Sequence, residues 1–161
     1  MPDNNFPNSN VLEHLSRLVQ VNKDAEAGFL NAAKNVQNSE LETQFAGYAK
    51  QHARFAAELQ KEIERLGENP PESGTVGGAV HRGWMDVKSA LTGHSAAAIL
   101  SSCEDGEQSA QAAYADAMAD ISGGQTFTLL EKQRQQVTEF RTRLARLVDE
   151  TKDGLEFQKN T

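Results

Sequence analysis

The chain has 161 residues, with 16 basic and 23 acidic side chains and a net charge of −7. That balance argues against nucleic acid or an anionic membrane as a partner, and the single cysteine excludes a disulfide framework or a cysteine-built zinc site. No apolar run reaches the ~18–20 residues of a membrane span, and Met1 to Asn5 carries neither the basic nor the apolar segment of a secretion signal, so the expectation is a cytoplasmic, single-domain protein.

Residues 1–9 are rich in Asn and Pro and read as a disordered lead-in. Asn10 and Glu13 have the spacing of a capping box. Val11, Leu15, Leu18, Val19, Asn22, Glu26, Phe29, Ala33 and Val36 then recur with the i, i+3, i+4 spacing of one helical face, which predicts a helix over 10–36. Ser39 and Glu42 repeat the box, and Leu41, Phe45, Tyr48, His52, Phe55, Leu59 and Ile63 predict a second helix over 40–66, with Gly67 at its C′ position. The short turn makes these two an antiparallel hairpin. A breaker-rich loop follows, then a short helix over 76–91 carrying Trp84 and three glycines. Ser95 caps a helix over 96–121 with Ile99, Leu100, Cys103, Glu107, Ala110, Tyr114 and Met118 in its stripe. Ser122-Gly123-Gly124 turns the chain into a last helix over 127–150, with Leu130, Gln133, Val137, Phe140 and Leu144 on one face, and 152–161 reads as a frayed tail.

The halves repeat. Asp24-Ala-Glu26 in the first helix matches Asp105-Gly-Glu107 in the third, and Gln51 to Phe55 in the second matches Gln136 to Phe140 in the last. Two such hairpins joined by a long crossover describe an all-α, ferritin-like antiparallel four-helix bundle over 10–151, with the short extra helix on the crossover.

Polar residues inside an apolar stripe carry the functional information, because an unpaired buried carboxylate costs several kcal/mol. Glu26, Glu107 and His52 are therefore the candidate metal ligands, suited to iron, manganese or zinc, with Tyr48, Tyr114 and Gln133 as nearby polar groups. The set falls short of a di-metal carboxylate centre, which takes Glu-x-x-His on two helices. Ala49 stands three residues before His52, and Val137 occupies the matching place in the last helix. Set against the ligand reading are stripe-edge glutamates with wet carboxylates and a hydrogen-bonded core histidine. Cys103, beside Glu104 and Asp105, reads as a small buried hydrophobe with a raised thiol pKa. His14 and His94 read as solvated surface residues. His81 and Trp84 in His81-Arg-Gly-Trp-Met85 are candidates for an interface, and a homodimer through this short helix is the expected assembly.

Phe55-Ala-Ala-Glu-Leu59, Arg65-Leu-Gly67, Gly78 to Leu91 and Cys103 to Glu107 resemble uncharacterised bacterial four-helix-bundle proteins of the ferritin-like superfamily, distant relatives of rubrerythrin. The resemblance implies a bacterial cytoplasmic bundle linked with stress responses and with no established reaction. It places the family's helix acids on Glu26 and Glu107. The leading expectation is thus a non-enzymatic stress-associated protein acting by self-association or partner binding, and the alternative is a metal-binding bundle with a reduced carboxylate/histidine site.

Overall fold

The computed structural model describes residues 9–70 and 95–159, with side chains described over 10–70 and 95–151. Four helices form a bundle: α1 (Ser9–Asn35), α2 (Ser39–Arg65), α3 (Ala96–Asp120) and α4 (Gly124–Lys159). The expected short helix over 76–91, with His81 and Trp84, lies outside the described residues, as do His94 and residues 1–8.

The helix ends follow the local chemistry, with some corrections. Helix α1 opens at Ser9, so Asn10 lies inside its first turn and is not the cap. Helix α2 is capped one residue earlier than the Ser39 box requires. Asn38 takes the extended backbone (φ −148°), and its Oδ1 accepts from Leu41 N at 3.0 Å. Ser95 caps α3 as expected, accepting from Ala98 N at 3.1 Å. Gly67, at φ +85°, closes α2 while its N–H and that of Glu68 satisfy the carbonyls of Glu64 and Ile63. Gly123 and Gly124 (φ +75° and +78°) make the last turn. Helix α4 begins three residues before the expected 127 and continues to Lys159, where a frayed tail was expected. No proline interrupts 127–159, and one glycine costs a helix only ~1 kcal/mol.

Contacts give the topology. Asn22 meets His52 and Phe29 meets Phe45, so α1 and α2 are antiparallel. His14 meets Asp120 and Asn22 meets Tyr114, which sets α3 antiparallel to α1. Tyr114 meets Gln133, and Gln111 meets Thr138, placing α4 antiparallel to α3. Glu62 meets Thr126 and Tyr48 meets Phe140 across α2 and α4. Helices α2 and α3 are therefore parallel and diagonal.

The stripes read from the sequence form the core. Leu15, Leu18, Phe29, Phe45, Phe55, Leu59, Ile99, Leu100, Leu130 and Leu144 are all buried, each contributing ~1.5–3 kcal/mol relative to exposure. Helix α3 packs with Gly106, Ala110, Ala113 and Ala117, small residues that admit neighbouring backbones closely. Among the described residues no helix is long and apolar enough to cross a membrane.

Candidate functional site

Across the bundle diagonal a carboxylate of α3 meets an imidazole of α2. His52 Nε2 and Glu107 Oε1 are 2.5 Å apart, and both side chains are 0% exposed. Aromatic rings enclose the imidazole. Phe29 stacks on it at 5.7 Å, and Phe55 and Phe140 present edges at 5.7 and 6.1 Å. Such surroundings leave little to screen a charge, so a lone carboxylate or imidazolium here would be costly.

The far nitrogen of the ring fixes the protons. His52 Nδ1 is 2.8 Å from Asn22 Oδ1. Asn22 uses both amide hydrogens elsewhere, on Leu18 O and on the Tyr114 hydroxyl, each at 2.8 Å. Its Oδ1 therefore accepts, and Nδ1 carries hydrogen. One more proton lies between Nε2 and Oε1, since two bare lone pairs at 2.5 Å would repel. On either atom it leaves the pair neutral overall, either as imidazolium with carboxylate or as imidazole with carboxylic acid.

The bonds continue in one direction. Tyr114 donates to Gln133 Oε1 at 2.8 Å, and Gln133 Nε2 donates to Glu58 Oε2 at 2.9 Å. Glu58 lies at the surface beside Arg54, at 3.7 Å. A chain of polar side chains thus runs from Glu107 through His52, Asn22, Tyr114 and Gln133 to Glu58, touching all four helices. Burial raises the Tyr114 hydroxyl far above its ordinary value, with the bond from Asn22 opposing and the charges of Glu107 and Glu58 adding, so it remains a donor. Glu107 Oε2 ends the chain, buried and without a hydrogen-bond partner.

Of the three expected ligands, the structure brings His52 and Glu107 together and leaves Glu26 apart. Glu26 is half-buried and makes no hydrogen bond with either. Its place beside the imidazole is taken by Asn22, one turn earlier. Tyr48 is also off the chain. Its ring packs on Phe29 and Phe140 at 5.4 and 4.6 Å; burial raises its hydroxyl, Arg143 opposes, and Glu107 adds. Gln133 is on the chain as expected. Cys103 is buried, and its thiol is raised chiefly by burial, with Glu107 second, rather than by the neighbouring acids in sequence. His14, expected to be solvated, pairs with Asp120 at 2.7 Å. The roles of Asn22 and Glu58 escaped the sequence reading. An Asn in an apolar stripe one turn from a candidate ligand was the available signal for the first, whereas Glu58 stood only inside the Phe55-to-Leu59 string, with nothing to mark it as a polar partner.

These residues do not fit a di-metal centre. Both nitrogens of His52 are engaged, Ala49 and Val137 fill the other ligand positions with buried apolar groups, and among the described residues no three His, Cys, Asp or Glu side chains gather as a metal site.

A model of a domain of unknown function, DUF2383, matches residues 10–120, and the chain belongs to that family. The match spans α1 to α3 and ends at the last residue of α3. No curated protein matches the chain.

Proposed function

For a DUF2383 chain whose buried His52–Glu107 pair is bonded to its own interior, we propose a non-enzymatic role: a bacterial, cytoplasmic, stress-associated bundle of ferritin-like arrangement that acts through its surface, by self-association or partner binding. The observation that carries this reading is the His52–Glu107 pair, 0% exposed and bonded internally at three of its four polar atoms. A group that is to meet a substrate needs an approach and a free atom, and this pair offers one enclosed oxygen. The stress link, the bacterial setting and the kinship with distant relatives of rubrerythrin rest on the sequence resemblance. Turnover of oxygen with added iron by the purified protein would overturn the non-enzymatic reading. A sedimentation mass that stays at 17.6 kDa across concentrations would remove self-association and leave partner binding.

The second reading, a reduced site for iron, manganese or zinc, has one observation in its favour, the unpartnered Glu107 Oε2. It requires His52 Nε2 to release Glu107. Elemental mass spectrometry after loading with each metal separates the two readings. Near-stoichiometric metal that is lost in Glu107→Ala favours the second, and none under any loading favours the first.

A further inference from the structure

Helices α2 and α4 leave a groove between them. The two touch through single layers of side chains, Tyr48 on Phe140 and Gln133 on the Phe55 carbonyl. Hollows of about 450 and 570 Å³ open along the line, the first walled by Gln51 and Arg143 and the second by Lys61 and Lys132, among others. The groove is basic in a chain of net charge −7. Of the acids lining the hollows, Glu62 is engaged with Arg65 at 2.6 Å, and Glu58 with Gln133 at 2.9 Å and Arg54 at 3.7 Å; Glu139, exposed on α4 between Lys132 and Arg143, is the acid on this face with no ion pair to a described residue. Lys61, Lys132 and Arg143 form no ion pair with any described residue.

Helix α3 has the opposite character. It contains no Lys or Arg. Asp105, Ser109, Ala112 and Asp116 are all exposed and follow one another by four, three and four residues, so they lie in one line along its outer surface. The two acids stand 11 residues apart on α3, ~16 Å at 1.5 Å per residue. Lys132 and Arg143 are also 11 residues apart, on α4, hence at the same ~16 Å spacing and on one face. Between the acids the line itself carries only Ser109 and Ala112, with the exposed, uncharged Gln108 beside it, so no charged side chain of the ridge opposes Glu139 in a neighbouring groove. Asp116 has an intramolecular partner in Arg17, but at 3.8 Å and with both side chains exposed, an arrangement worth little.

We propose that copies of this chain associate by seating α3 of one copy in the α2/α4 groove of another, with Asp105 and Asp116 opposite Lys132 and Arg143. The inference rests on the self-association reading above and names its surface. The two faces differ, so the contact is heterologous: each copy offers one acidic ridge and one basic groove.

The test is sedimentation velocity on the full chain over a range of concentrations at ~20 and ~300 mM salt, where screening lengths are ~20 and ~6 Å. Association should weaken about tenfold or more at the higher salt, as expected for exposed charge pairs. Lys132→Glu/Arg143→Glu and Asp105→Lys/Asp116→Lys should each sediment as monomers, with unchanged circular dichroism, because all four sites are exposed. Mixing the two variants should restore association, since each then presents a ridge complementary to the other's groove. Association that ignores both reversals would overturn this surface while leaving self-association standing. Monomers at every concentration in low salt would overturn both. Failure of the mixture to associate would overturn the pairing of ridge with groove.

Discussion

Replacing His52 by Leu removes the group that neutralises Glu107. In the variant both Glu107 oxygens lie buried without a partner, since Oε2 already has none, and Asn22 Oδ1 loses its donor. Breaking a buried charge pair from one side costs ~3–5 kcal/mol, and an orphaned buried acceptor ~1–3 kcal/mol. The two groups share one enclosed site, so their costs do not simply add, and the expected loss is ~4–6 kcal/mol. For a chain of this size that lowers Tm by ~10–20 °C. Urea unfolding followed by circular dichroism at pH 7, with chelator present, measures it. Adding Glu107→Leu to His52→Leu then removes the stranded acid and should recover ~3 kcal/mol. A loss below ~1 kcal/mol in the single variant, or a double variant less stable than the single, would refute the neutral-pair argument.

Three other outcomes follow from features at the bundle's ends and core. The Glu62 carboxyl is held below its ordinary value, first by its bonds from Arg65 and then by that from Thr126. Its contribution is therefore fully present above the unfolded value of ~4.3 and is lost as pH falls through the lower folded value. Glu62→Gln should cost ~1 kcal/mol at pH 7, a difference that closes on acidification when urea midpoints are compared. Cys103, buried and with its thiol raised, should resist a disulfide-exchange chromophore at pH 8 in the native protein and react fully in guanidinium. Asn38→Ala should cost ~1 kcal/mol as loss of the α2 cap, while Ser39→Ala should stay within ~0.5 kcal/mol; the reverse order would return the cap to Ser39.

The helices and their buried faces were legible because periodicity reports burial directly, and α1 to α4 use the stripes the sequence displays. The site was half legible. Glu107 and Glu26 occupy matching places in the repeat, yet only Glu107 is enclosed. On α1 the buried line runs through Ala25 and Phe29, leaving Glu26 on the flank. On α3 Gly106 and Ala110 are small enough for neighbours to close over both Gly106 and Glu107. Repeat position therefore says which residues correspond, and side-chain size on the packed face decides which of them is buried. The joining of Asn22 to Tyr114 depends on how α1 sits against α3, which no local pattern records.

The buried polar chain has a consequence for assembly. Leu, Ala and Val surfaces tolerate a slide of one helix past another by a turn, ~5.4 Å, with modest loss, and the alanine-rich α3 is an especially smooth rail. Hydrogen bonds at 2.5–2.8 Å from Glu107 through His52, Asn22 and Tyr114 to Gln133 do not tolerate it. They index the two hairpins against each other, so that a misaligned bundle strands several donors and acceptors at once. Converting those five residues to apolar ones of similar volume should raise the unfolding midpoint while blurring the amide resonances into those of several interconverting alignments.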